Sequence, residues 1–205
     1  MQIDPQSTAL IVVHCQGHIV GADGAFSELF YGQVVERNVI STIERLAGAF
    51  RTAGGAVFYT RVAWKPDFSD LNVNSPILGI VADSGCLKDG DPLAEIVAPL
   101  APRKRDTVIT HTRVGGFQGS ELDEALRRRG ISTVCFAGVA TNFSVEGTAR
   151  TASDLGYRVV IVEDACSARD EATHLASIDS LSLLAEITTA DELDVALAPG
   201  PRMHA

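Results

Sequence analysis

Three short runs, at residues 9–13, 134–139 and 158–162, are apolar at almost every position and contain several Val and Ile. A strand with one wet face alternates apolar and polar residues, whereas a strand covered on both faces does not. Two more runs, 56–61 and 107–110, are shorter but similarly β-branched. Between the runs, apolar residues recur three and four apart, which is the period of a helix with one buried face. Residues 34–52 place Val35, Val39, Ile43, Leu46 and Phe50 on one stripe, and Gly54-Gly55 ends it. Residues 120–129 carry Leu122, Ala125 and Leu126 before Gly130; residues 143–155 end at Gly156, and 170–184 follow. Strand and helix in alternation predict an α/β fold of three αβα layers. Its central parallel sheet is Rossmann-like and joined by right-handed crossovers. Residues 1–205 read as one domain with a core over about 7–197, and the tail after Leu197 reads as frayed.

Ligands of such a sheet gather at the carboxyl ends of its strands. That selects His14, residues 62–67, 111–116, 139–144 and 164–167, beside an irregular stretch at 63–102 that is long for an idle loop. His14 ends the first run, His111 ends the run at 107–110, and Ser144 opens the helix after 134–139. A helix start offers free N–H groups to an anion. A serine there with two imidazoles nearby has the parts of an activated nucleophile. The alternative is a small first-turn serine and two hydrogen-bonded strand-end histidines.

The formal net charge of −9 provides no basic stripe for nucleic acid or an anionic membrane. Arg127-Arg128-Arg129 reads as a solvated helix cap complementing the helix dipole. No run reaches the roughly 18 apolar residues of a membrane span, and the first residues lack a signal pattern. Cys15, Cys86, Cys135 and Cys166 have no CxxC spacing and read as reduced thiols. Cys15 should point away from His14's face and Cys135 into the core, while Cys166, just past a strand, is the one thiol worth attention. A cytoplasmic protein with a small-molecule partner is expected, without a cofactor.

Several segments resemble one family. Thr8-Ala-Leu-Ile-Val-Val-His-Cys-Gln is similar to an opening in which an apolar strand ends in Asp, any residue, then Gln. Val108-Ile-Thr-His-Thr-Arg-Val-Gly-Gly-Phe is similar to a segment with a Lys six residues before a Phe. Gly138-Val-Ala-Thr-Asn-Phe-Ser-Val-Glu-Gly-Thr-Ala-Arg is similar to a segment carrying a nucleophilic Cys, with Ser144 at the Cys position. Val159 to Asp164 with Ala165-Cys166-Ser167 also fits, as does the helix before Val57-Phe-Tyr-Thr-Arg. The chain thus resembles the isochorismatase-like cysteine hydrolases from about residue 7 to 197. These include nicotinamidases, N-carbamoylsarcosine amidohydrolases and isochorismatases. The resemblance implies an oxyanion hole from the N–H groups of Ala140 and Ser144, a cis peptide between Val139 and Ala140, and a homodimer or homotetramer.

The resemblance also implies an Asp–Lys–Cys triad, and all three positions depart from it: they hold His14, His111 and Ser144. A serine needs a base in place, since its hydroxyl is far less acidic than a thiol. Histidine for lysine replaces a permanent cation with a group that titrates near neutrality. These changes fit either a switch to general-base chemistry on a C–N or C–O bond, or a family member that binds small molecules without turnover. Relatives that are nicotinamidases hold a metal through an Asp and two His after the second strand. Here that loop, Val62-Ala-Trp-Lys-Pro-Asp-Phe-Ser-Asp, has no histidine, so no metal is expected there; His14, His18 and His111 are the other metal-ligand candidates. Gln16, Trp64, Phe68, Arg113, Phe117 and Val139 are the expected pocket lining, aromatic walls with one guanidinium suiting a small planar or carboxylated substrate.

Overall fold

The computed structural model describes residues 3–197. Six parallel strands form one sheet: β1 (Thr8–Val13), β2 (Ala56–Val62), β3 (Thr107–His111), β4 (Thr133–Val139), β5 (Arg158–Ser167) and β6 (Glu186–Thr188). Their order across the sheet is β3-β2-β1-β4-β5-β6. The predicted runs all lie in strands, and β6 is added at the edge, too short to leave a pattern.

Helices cover both faces: α1 (Gly17–Val20), α2 (Ser27–Glu36), α3 (Val39–Ala53), α4 (Pro76–Ser84), α5 (Leu122–Arg128), α6 (Glu146–Asp154), α7 (Glu171–Leu181) and α8 (Ala190–Leu197). One core packs α3 residues Val39, Ile43, Leu46 and Phe50 against Leu10, Val12, Tyr59 and Val160. The other packs Leu122 and Leu126 of α5 and Ala149 of α6 against Ile11, Phe58, Phe136 and Ile161. Alternate residues of β1 enter opposite cores, as a strand period of two requires. This explains why all six of its side chains are buried.

The stretch read as one helix from residue 34 is two helices. Asn38 takes a left-handed backbone, φ 53°, between α2 and α3. Asn tolerates that conformation better than most side chains. Val35 therefore leaves the stripe and is 53% exposed. Gly54, at φ 83°, ends α3 as expected. The irregular stretch at 63–102 is more ordered than it reads, since it contains α4 and two short 3₁₀ turns. The tail after Leu197 lies outside the described residues.

Strand order reverses on either side of β1, whose neighbours are β2 and β4. A crevice opens at such a reversal because the following chain segments leave toward opposite faces. Gly138 brings β4 close to β1 there: at its φ of 125°, a Cβ would lie 2.2 Å from the Val13 carbonyl oxygen. A side chain would collide with backbone, so only glycine fits.

Candidate active site

The chain leaving β1 turns at once. His14 adopts φ 50°, its N–H donates to the Thr60 carbonyl at 3.1 Å, and its carbonyl accepts from Gln16 N–H at 2.8 Å. A non-glycine residue in that region costs about 1–2 kcal/mol. The conformation sets the imidazole across the end of β2 toward β3, whose last residue is His111. The two Nε2 atoms are 2.9 Å apart, with ring centroids 4.9 Å apart and planes tilted by 30°. Both side chains are buried.

Two imidazoles at that distance share one N–H, so one ring donates while the other accepts. A second proton on the pair would be buried beside the first. Burial pushes the His111 pKa down to about 4. Burial, and then His111 itself, hold His14 well below the usual 6.5. The pair is neutral at neutral pH. His111 Nδ1 has no hydrogen-bond partner among the described residues. The Arg113 backbone favours a proton on His111 without meeting hydrogen-bond geometry at that atom.

Ser144 enters from the opposite side of the crevice. The Val139–Ala140 peptide after β4 is cis, and residues Thr141–Val145 form a π-helical turn leading into α6. The Ala140 carbonyl accepts from Phe143 and Val145 N–H, each at 3.1 Å. Helix residues 143–155 thus begin in a wider turn that carries Ser144 at its inner face. Ser144 Oγ makes no hydrogen bond to either imidazole. Behind the turn, Thr141 Oγ1 is 2.8 Å from His174 Nδ1. Arg37 Nη2 lies 3.0 Å from His174 Nε2 and also donates to the Glu163 carbonyl and carboxylate, each at 3.1 Å. His174 was missed in the sequence because one polar residue on the buried stripe of a helix carries no motif.

A cavity of about 50 Å³ lies between these parts, lined by His14, Trp64, Arg113, Val139, Ala140 and Ser144, with apolar side chains from α2 and α4 closing it. His111 is not on its wall. It borders a separate, polar pocket of about 230 Å³ with Lys65, Asp70 and Asp89. His14 thus faces the apolar cavity while contacting His111 behind it. Trp64 Nε1 and Arg113 Nη1 are buried donors without partners among the described residues.

Three expected lining residues are elsewhere. Gln16 is fully buried as a clamp: its Nε2 donates to the Val62 and Ala94 carbonyls at 2.8 and 2.6 Å, and its Oε1 accepts from Val62 N–H at 2.8 Å. Phe68 lies under Lys88 Nζ, 4.8 Å from the ring centre. Phe117 stacks on Tyr157 at 6.2 Å in the α5 core, an apolar site that suits its ring better than the crevice. Arg61, not singled out before, helps Gln16 hold the loop: its Nη2 donates to Asp89 and Glu95, both at 2.7 Å.

Cys166 does not stand past a strand but inside β5, where burial raises its pKa to about 12. Cys135 is likewise pushed up to about 12, and Cys15 is raised further by burial. Buried thiols of this kind are poor nucleophiles. His18 turns to Asp91, 2.8 Å away, rather than joining His14 and His111. Among the described residues no three His, Cys, Asp or Glu side chains cluster as metal ligands. The loop after β2 does not fit the metal site of the nicotinamidases.

A model of the isochorismatase domain matches residues 8–192. The isochorismatase family protein YecD of Escherichia coli O157:H7 is 32% identical over 194 residues, covering 94% of this chain and 97% of that one. A ureidoacrylate amidohydrolase, RutB of Acinetobacter baylyi, is 31% identical over 178 residues, covering 81% of this chain and 73% of its own. A crystal structure of a cysteine hydrolase from Pseudomonas syringae pv. phaseolicola superposes with a TM-score of 0.88 at 27% identity. That match covers 96% of this chain and 95% of the other.

Proposed function

The chain belongs to the isochorismatase family of hydrolases, and we propose that it cleaves the C–N bond of a small amide or ureide at a site that uses no cysteine. The observation that carries this is that His14 and Ser144 line the same cavity, with His111 hydrogen-bonded behind His14.

Ser144 Oγ attacks the carbonyl carbon, and His14 takes the hydroxyl proton. Since His14 Nε2 faces His111, the nitrogen available is Nδ1, which must then carry a lone pair. That requires a proton on His14 Nε2, donated to His111 Nε2, and a proton on His111 Nδ1. His14 Nδ1–H next protonates the leaving nitrogen, the C–N bond breaks, and water hydrolyses the ester on Ser144 by the same route. In this reading the developing oxyanion takes hydrogen bonds from the N–H groups of Ala140 and Ser144, two residues that line the cavity. Trp64 Nε1 and Arg113 Nη1, unpartnered in the protein, suit acceptor oxygens elsewhere on the substrate. A depressed pKa leaves His14 unprotonated at neutral pH but makes it a weak base, so sharing the new charge with His111 is integral to the step.

A binding protein without turnover is the second reading. It is favoured by the missing Ser144 Oγ–imidazole hydrogen bond and by a cavity of only about 50 Å³. Turnover of a panel of ureides and primary amides, with mass spectrometry for an acylated Ser144, separates the two. The hydrolase reading expects turnover that disappears in Ser144→Ala. Ligand-induced stabilisation of the protein with no turnover of any panel member overturns it.

A further inference from the structure

The amino-terminal end of the sheet holds a second cavity, of about 240 Å³, far along the strands from the candidate active site. Its lining comes from the end of α3, the start of β2 and the segments before β3 and β4, and includes Arg51, Gly54, Arg105 and Arg129. An apolar cavity of about 150 Å³ accepts benzene, so this one has room for a small ligand.

The arginines differ in how far their charge is spent. Arg51 is neutralised in place: its Nε and Nη2 donate to Asp106 at 3.3 and 2.6 Å, and Nη2 also donates to Tyr59 Oη at 2.9 Å. Asp106 is almost wholly buried and also accepts the Arg103 N–H at 2.7 Å, so its carboxylate is fully engaged. Arg129 is held through Nη2 alone, which donates to the Arg105 carbonyl at 3.2 Å and Thr107 Oγ1 at 3.0 Å. Its guanidinium lies 5.2 Å from the centre of the Phe58 ring. Nη1 and Nε of Arg129 bond to nothing among the described residues, nor do the side chains of Arg103, Lys104 and Arg105. Arg127 and Arg128, in the same basic run as Arg129, are instead paired with Asp123 and Glu124.

Two cations without a carboxylate partner, Arg105 and Arg129, thus line the cavity beside one spent carboxylate, with Arg103 and Lys104 next to Arg105 in the chain, in a protein whose net charge is −9. Like charges held in proximity repel, and a cavity among them concentrates the field. Guanidinium forks match phosphate and carboxylate oxygens two at a time. Gly54 leaves space at the rim for the Gln6 amide, whose Nε2 would lie 2.8 Å from a Cβ there.

We propose that this cavity is a binding site for a small oligoanion bearing two or more phosphate or carboxylate groups, gripped by Arg105 and Arg129. The site is independent of the hydrolytic reading.

Isothermal titration of the whole chain at low ionic strength, with pyrophosphate and with citrate, tests it. Saturable one-to-one binding of at least one anion is expected. The double variant Arg105→Ser/Arg129→Ser should weaken it at least tenfold, and Arg127→Ser/Arg128→Ser, which changes net charge equally, less than twofold. Binding of pyrophosphate alone assigns phosphate chemistry, binding of citrate alone assigns carboxylate chemistry, and binding of both assigns charge shared by the two classes. Absence of saturable binding by either anion overturns the proposal, as does equal weakening in the two double variants, which would reflect only the general field. Arg129 also anchors the start of β3. If its variant fails to fold by circular dichroism, Arg105→Ser alone replaces it: its side chain holds nothing, and at least a threefold loss is expected.

Discussion

The protein buries two imidazole systems on opposite sides of the Ser144 turn, and they are built on opposite rules. His174 has a partner on each nitrogen, and those partners dictate its state. A guanidinium only donates, so Arg37 at 3.0 Å from Nε2 fixes that atom as an acceptor, and Nδ1–H donates to Thr141 Oγ1 at 2.8 Å. The Glu163 carboxylate, 3.5 Å from Nε2, would prefer a charged ring. Burial and then Arg37 outweigh it, and the His174 pKa is lowered. His14 and His111 have only each other, nitrogen to like nitrogen, and nothing charged decides which ring carries the shared proton. A fully satisfied imidazole holds structure together; one with uncommitted nitrogens can move a proton. The fold keeps the first kind behind the Ser144 turn and the second kind in front of it.

The sharpest way to break this contrast is to remove the uncommitted system. Ser144→Ala and His14→Asn should each lower kcat/KM by about a thousandfold or more, in line with loss of a nucleophile or a base. The melting temperature of Ser144→Ala should stay within a few degrees of the parent, because Ser144 Oγ holds nothing, and that of His14→Asn should fall by somewhat more, because it removes the bond to buried His111. Steady-state kinetics on the best ureide found, beside thermal unfolding, checks both halves. A melting temperature falling by more than about 10 °C would make the pair structural after all.

The next largest effect is on stability against pH. In the unfolded chain His111 takes a proton below about 6.5, whereas in the fold it does so only near 4. Above 6.5 both states are neutral and the full stability is present. As pH falls from 6.5 toward 4 the unfolded state alone gains protons, so stability declines, and below about 4 this contribution flattens. A shift of this size corresponds to roughly 3 kcal/mol at its limit. His111→Asn lacks the titration, so its deficit relative to the parent should shrink as pH drops across that window. Urea unfolding of both proteins at pH 7, 5.5 and 4.5 measures it; a constant difference would mean that His111 titrates normally in the fold. Activity should likewise keep a plateau from neutral pH to well below 6.5 before its acid limb, since His14 remains unprotonated there.

His174→Leu should then cost about 2 kcal/mol, because it leaves the fully buried Thr141 hydroxyl without its donor and Arg37 with one acceptor fewer. For a chain of this size that is a fall of about 4–8 °C in Tm. A change below 2 °C would show that the network does not bear on stability.

Both systems were unequally legible in the sequence. Four of the longer strands could be read because burial on both faces removes most polar residues from them, with β1 the extreme case, whereas β3, exposed at alternate residues, was read from its β-branched run. The break at Asn38 could not, because apolar spacing continues across it while the backbone turns left-handed. His14, His111 and Ser144 were found because strand ends converge in a parallel sheet, a property of topology alone. That His111 stands behind His14 rather than beside Ser144 depends on the φ of 50° at His14, which no pattern of side chains announces. Gln16 and Phe117 were misplaced for a related reason: proximity in sequence to a strand end says nothing about whether a side chain caps a loop or enters the core. His174 had no signal beyond a polar residue on a buried stripe.

The smallest expected effect separates structure from positioning within the satisfied system. Thr141→Val keeps the shape and removes the hydroxyl that accepts from His174 Nδ1. Stability should fall by about 1 kcal/mol, the net worth of a neutral hydrogen bond with its donor left buried. Thr141 opens the π-helical turn, three residues before Ser144, so loosening it should also displace the nucleophile. The expected signature is a three- to tenfold lower kcat with KM nearly unchanged, and Thr141→Ser, which restores an acceptor, should recover most of it. If Thr141→Val destabilises the protein while leaving kcat untouched, the His174 network supports the fold without tuning the turn. The two imidazole systems would then flank one turn but not share a mechanism.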